Sequence, residues 1–360
     1  MKNLEEKKLA LADNLLTHSL KLKAGDNLYI ESRGAGQKPY AELVEQLAKQ
    51  RGLNVRSKYM TIEEHDDFWA QATEEEAKKL TADDIAEFKW ADGILLFRQP
   101  IQKTLNEKQQ KLYNQYVKEA HIDVRVKKKW CLTLVPEKEK DLEMYLSSCA
   151  LDYDKMEKEM DALVHAMLKT DKVRILAPGT DITLRIKGQN PVKCVGTLNM
   201  PDGEVFVGPI KDSINGVIKY NIPGNYHGFT FEDVELKVKD GKIMDINCNN
   251  KDYLTQILDS DEGARYFGEF SFGLNPMITK PVGDILFDEK IAGSIHLTPG
   301  GCYDESYNGN ESGVHFDLVQ SHRPEAGGGE IYFDDVLVRK DGEFVLDNLK
   351  GLNPENLMHR

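Results

Sequence analysis

Between Glu269 and Asp317 five side chains able to ligate metal ions stand at strand-like segments or the turns after them: Glu269 in GEFSFGLNP, His296 and Tyr303 in and after DEKIAGSIHLTPGG, and His315 and Asp317 in NESGVHFDLV. A sixth, Glu204, stands in MPDGEVFVGP, and no lysine or arginine adjoins any of the six in the sequence. Side chains of an extended segment alternate between faces. In SGVHFDLV the spacing therefore puts Val314, Phe316 and Leu318 on one face and His315 with Asp317 on the other. In GEFSFGL it sets Phe270, Phe272 and Leu274 opposite Glu269, Ser271 and Gly273. Each residue alone also has a plainer reading, since a strand histidine is commonly a hydrogen-bonded structural residue and H-x-D recurs by chance.

Strands have to position these groups, and the sequence supplies them in two textures. Leu9, Ala12, Leu16 and Leu20 keep the spacing of an amphipathic helix. NLYIES, PYAELVEQLAKQRG and LNVRSKYM then read as strand, helix and strand, a β-α-β unit of a parallel sheet, which GILLFR and WCLTLVP extend. SRGAGQKP after the first strand is a partial Gly-x-Gly turn without the third glycine of a phosphate cradle, so turn chemistry is its main reading. The acids of ATEEEAKKL suit helix caps and solvated faces. Met156, Met160, Leu163 and Met167 form a core-facing helix stripe. After Asp171 short β-like runs take over, with Asp-Gly hairpin signals at Asp240-Gly241 and Asp341-Gly342. The expected architecture is an N-terminal α/β domain of Rossmann-like layering, residues 1–171, followed by a mainly β (α+β) metal-binding catalytic domain, residues 172–360, which holds all six candidate ligands. The first domain is expected to shape a cleft or mediate assembly.

A formal net charge of -13 over 360 residues argues against nucleic acid or an anionic membrane as the main partner. The charged, helix-patterned N-terminus is unlike a signal peptide, and no apolar run reaches membrane-spanning length, which points to the cytoplasm. Five cysteines without a C-x-x-C pair read as reduced thiols. Cys302, beside Tyr303, has a minor alternative role as a nucleophile. Glu289 reads as a polar turn residue, a further ligand or a residue that orients the ligands, and His227 and His322 as surface histidines.

The succession GTDITLRIKG, NMPDGEVFVGP, GEFSFGLNP, DEKIAGSIHLTPG with Tyr303, and GVHFDLV resembles the aminopeptidase T (M29) family of metallopeptidases, most strongly over the second half of the chain. The resemblance implies two divalent metal ions held by Glu204, Glu269, His296, Tyr303, His315 and Asp317. It also implies removal of N-terminal residues from short peptides with a free N-terminus, and a homodimer. Two features depart from the family pattern: Gly203-Glu204 stands where paired glutamates are usual, and the interval from Tyr303 to His315 is short. Three acids, two imidazoles and a phenol suit a two-ion centre better than a structural zinc, because a carboxylate can bridge two ions. Zinc, cobalt and manganese all accept such donors. Glu204 or Glu269 would take the proton of the attacking water. A metal-dependent amidase or dipeptidase on the same site, and a non-catalytic metal- or peptide-binding protein, are the alternatives.

Overall fold

The computed structural model describes residues 3–99, 103–226 and 228–358. It is a mixed α/β chain that divides into two compact units, residues 1–151 with 196–201, and residues 152–195 with 202–360.

In the first unit five parallel strands lie in the order Asn54–Met60, Asn27–Arg33, Gly93–Arg98, Lys129–Thr133, Asn199–Met200. Parallel neighbours need crossover connections. Helix Lys38–Gln50 supplies one, and helices Ile62–Gln71 and Glu74–Trp90 supply the next. The last two begin with capping boxes, Thr61 with Glu64 and Thr73 with Glu76, which satisfy the first free N–H groups. Tyr29 packs with Trp69, Phe88, Ile94, Leu96 and Tyr116 on one face of the sheet. Leu28, Ile30 and Leu95 alternate with those strand residues and are also fully buried, so both faces are covered. At the partial Gly-x-Gly turn, Gln37 exchanges two hydrogen bonds of 2.8 Å with the backbone of Val135, a packing role.

The N-terminal helix departs from its expected stripe. Leu11, Ala12, Leu15, Leu16 and Leu20 are buried, whereas Leu9 is exposed. Helix Leu4–Asn14 runs into a π turn at Leu15–Ser19, where the Leu20 N–H donates to the Leu15 carbonyl five residues back. That wider turn breaks the single period the sequence suggests.

The second unit is built on antiparallel sheets. Eight strands run from Lys242–Asn247 at one edge, through Thr180–Arg185 and Lys172–Ala177, to Glu343–Phe344 at the other. The two Asp-Gly pairs have positive φ at all four residues, as mirror-image hairpin turns require. A second sheet has the order Val319–Ser321, Ser294–Pro299, Phe267–Gly273, Glu204–Val207, Val192–Cys194. Every residue of its three central strands is buried, so alternation here separates a polar face from an apolar one, both inside the fold.

The expected division near residue 171 follows the change from helical to strand-like sequence. Packing divides the chain earlier. Helix Tyr153–Lys169 belongs to the second unit, where it meets strands Val192–Cys194 and Glu204–Val207. It buries Met156, Met160, Leu163 and Met167, and Asp161 pairs with Lys193 at 2.7 Å. Leu163→Ala is therefore expected to destabilise by about 2–5 kcal/mol. Leu168→Ala, at a side chain 52% exposed, should stay within about 0.5 kcal/mol. Urea titration of both variants checks this; equal midpoints would show that the helix is not anchored through its methionine-leucine stripe.

Candidate metal centre

Strand register builds the site. Ser271 lies opposite His296, Glu269 opposite Thr298, and Gly273 opposite Glu204. Glu269, Ser271, His296, Thr298, Glu204 and Phe206 consequently share one face of the buried sheet. His315 and Asp317 come from an extended segment that precedes strand Val319–Ser321 and is tied in by a bridge between Gly300 and His315. Gly300 has φ +108°, and a Cβ there would stand 2.0 Å from the Val314 carbonyl oxygen, so only glycine lets this segment approach.

The structure brings the six sequence candidates together. His296 Nε2 lies 2.9 Å from Glu269 Oε1 and 3.4 Å from Glu204 Oε2. His315 Nε2 lies 3.6 Å from Glu269 Oε2 and 3.2 Å from Asp317 Oδ1. The Nδ1 of His315 is 2.8 Å from the Gly301 carbonyl, which fixes the ring with Nε2 toward the acids. Thr298 donates to Asp317 at 2.7 Å and Ser271 to Glu204 at 3.1 Å. Tyr303, half exposed, places its ring 4.8 Å from that of His315 and 5.8 Å from that of Phe206. Donor atoms fall into two overlapping triads, Glu204 with Glu269 and His296, and Glu269 with His315 and Asp317; within each they lie no more than 4.8 Å apart.

Three residues beyond the six also converge here. Lys290, fully buried, sits with Nζ 2.5 Å from Glu204 Oε1, 2.7 Å from Glu289 Oε1 and 3.3 Å from Asp202 Oδ1. A lysine thus enters the acid cluster in space although none adjoins the six in sequence. Glu289 belongs to this cluster and is no surface turn residue. Its neighbour Asp288 serves the turn, accepting from the Val282 and Gly283 N–H groups. His322 is likewise not a surface residue. It is fully buried, 2.9 Å from Gln320 Oε1, and burial pushes it well below the usual histidine range. His227 lies outside the described residues. Cys302 accepts from the Asn308 N–H and donates to the Asn310 carbonyl, a loop-tying role.

Electrostatics decides whether the donors fit a cation. Burial raises Glu269, and also Glu289, which reaches about 8 against the pull of Lys290. Burial is the largest influence on Glu204 and Asp317 too and works upward, but Lys290 and His296 together hold the first low, and His315, His296 and Thr298 together the second. Burial alone would lower the two imidazoles. The surrounding acids instead lift His296 to about 9 and His315 to about 10. Burial and then Asp317 raise the Tyr303 phenol. A negative cluster that holds two protons so far above their ordinary range, built of carboxylates, imidazoles and a phenol, fits a divalent cation in their place. An open groove of about 730 Å³ in the first unit, lined by Glu74, Lys78, Lys111 and Tyr116 among others, gathers no such set among the described residues.

Residues 150–344 match the model of the thermophilic metalloprotease family M29, and the chain belongs to that family. Among curated relatives, aminopeptidase AmpS of Bacillus subtilis is 30% identical over 161 residues, covering 40% of this chain and 38% of AmpS. Aminopeptidase T of Thermus aquaticus is 31% identical over 154 residues, covering 39% and 37%. The chain thus spans under two-fifths of the length of these relatives. Wild-type AmpT from Thermus thermophilus shares the fold with a TM-score of 0.77 at 18% identity, covering 96% of this chain and 100% of that one.

In the metal-free chain the shifts have a definite sign. Glu289, His296 and His315 keep their protons to about 8, 9 and 10 when folded, against ordinary values of 4.5 for the acid and 6.5 for the imidazoles. The folded state binds more protons in that window, so stability falls as pH rises through it. The low pKa values of Glu204 and Asp317 act oppositely, withdrawing stability in strong acid. Thermal unfolding with chelator present is expected to show a falling midpoint from about pH 6.5 upward. A flat or rising profile there would contradict the charge arrangement.

Proposed function

We propose that this chain is a metal-dependent aminopeptidase that binds two divalent ions through Glu204, Glu269, His296, Tyr303, His315 and Asp317. The observation that carries the reading is the pair of triads sharing Glu269, whose Oε1 faces His296 and whose Oε2 faces His315. One carboxylate thereby offers an oxygen to each half of the site, as a bridging ligand must. When bound, such a pair supplies Lewis-acid polarisation of the scissile carbonyl and a water acidic enough to attack near neutral pH.

The residues themselves divide the remaining work. Lys290 donates to Glu204 Oε1 and reduces the basicity of that acid; Glu204 or Glu269 would take the water's proton on its way to the leaving amine. Thr298 and Ser271 orient Asp317 and Glu204. The anionic cluster receives the substrate's free α-amino group, which confines cleavage to the first peptide bond. Short peptides are the proposed substrates, and a cytoplasmic homodimer is the proposed form. Among the described residues no helix is long and apolar enough to cross a membrane.

Chain stripped by chelator and then given zinc, cobalt or manganese is expected to bind about two ions and to regain hydrolysis. It should cleave aminoacyl amides with a free amine and leave their N-acetylated forms intact. Cleavage of both forms would move the assignment to an amidase, and metal binding without cleavage of either would make the chain a binding protein.

Glu269→Gln keeps shape while deleting charge. It is expected to lose a bound ion and to lower turnover by more than the roughly 10–100-fold typical of disturbing a residue behind the ligands. His315→Ala gives a complementary measurement. If His315 only hydrogen-bonds, the cost is about 1–3 kcal/mol of stability with metal content intact, whereas a ligand's loss removes an ion from a folded chain. Elemental analysis of the folded variants separates the two cases.

A further inference from the structure

We propose that Lys290 is a positioning residue of this centre. Its ammonium is a built-in cation in the corner formed by Cys194, Asp202 and Glu204, and it withdraws Glu204 Oε1 and the Glu289 carboxylate from metal ligation. Glu204 is left to ligate through Oε2 alone. The inference rests on the metal-centre reading above.

The ammonium has three N–H donors, and three carboxylates surround it at 2.5, 2.7 and 3.3 Å. The contact with Glu204 is a hydrogen bond and those with Glu289 and Asp202 are ion pairs, so one cation compensates three acids. The two oxygens of Glu204 are divided: Oε1 accepts from Lys290, while Oε2 accepts from Ser271 and faces His296 Nε2. The backbone of Lys290 is pinned as well. Its N–H donates to the Phe287 carbonyl at 2.9 Å, and its own carbonyl accepts from Asn275 at 3.0 Å.

Cys194, Asp202 and Glu204 form a third group whose donor atoms lie within 4.8 Å of one another. Its composition of one thiol and two carboxylates would suit a divalent ion. The ammonium stands against both carboxylates of that group, and its charge bears on the Cys194 thiol. A cation that cannot dissociate thus takes the place of one that could. It keeps the inner oxygens of the acid cluster compensated whether or not the two proposed ions are bound, since a buried carboxylate left without a counter-charge is strongly unfavourable.

The test uses the full chain, stripped of metal and titrated with cobalt(II) alone, with bound cobalt measured directly and by its visible absorption. Wild-type chain is expected to show carboxylate and imidazole coordination without a thiolate-to-cobalt charge-transfer band. Lys290→Met should gain one further equivalent of cobalt together with that band, and the band should vanish in the Lys290→Met, Cys194→Ser double variant. Glu289→Gln should keep wild-type stoichiometry and spectrum. Lys290→Met with unchanged stoichiometry and spectrum, or Glu289→Gln with one equivalent lost, would overturn the inference. If Lys290→Met does not fold, the Glu289→Gln result decides alone. Wild-type chain that binds no cobalt would instead remove the metal-centre reading itself, and this inference with it.

Discussion

Carboxylates held inside a protein must find positive charge or protons, and the second unit is organised around that requirement. Asp202, Glu204, Glu269, Glu289 and Asp317 converge in its interior. Each ionised acid taken out of water costs several kcal/mol unless paired and hydrogen-bonded. The sheet meets the demand by register. Ser271 and Thr298 sit where their hydroxyls reach Glu204 and Asp317, and His296 stands directly across from Ser271. The apolar face of the same strands, with Phe270 and Phe272 at 5.1 Å, fixes that register by packing, because a slip of one residue would turn the acids into the aromatic layer.

The alternation rule made much of this legible in the sequence. His315 and Asp317 point together as the H-x-D spacing requires, and Glu269 lies among small neighbours on the polar face. The first unit's strands and the Asp-Gly hairpins were readable for the same reason: their signals are local, a period of two or a turn that demands positive φ. The helix Tyr153–Lys169 was also legible as a helix, but its allegiance was not, because a buried stripe says that a partner exists without saying which.

Residues that arrive from loops were the illegible part. Lys290 follows the short helical turn Ile285–Asp288, and its main partner Glu204 lies 86 residues away in sequence. In one dimension it looks like one of many surface lysines. His322 is hidden the same way, and Glu289 is ambiguous between turn and site, since polar residues in turn-like sequence are usually solvated, and burial here comes from long-range packing. The π turn at Leu15–Ser19 leaves no mark in the sequence, because apolar spacing carries a single helical period on which one wider turn is superposed.

Exposure grades across the proposed centre, and the gradient bears on how a substrate would meet it. The His296 side chain is 1% exposed, whereas those of Asp317 and His315 are 15% and 26% exposed. Tyr303, tilted against His315 and edge-on to Phe206, is half open to solvent. The inner triad therefore sits against Lys290 and the sheet, where water is scarce and charge interactions are strong. The outer triad, through His315 and Asp317, lies on the more exposed side. Glu269 belongs to both. A group approaching from solvent would meet His315 and Asp317 first, while the far side of Glu269 meets His296, which the strand pairing places across from Ser271. The buried half of the site lies deep, beside the charge of Lys290, and the accessible half nearer the surface, the order that suits a centre exchanging a bound group without giving up its internal charge balance.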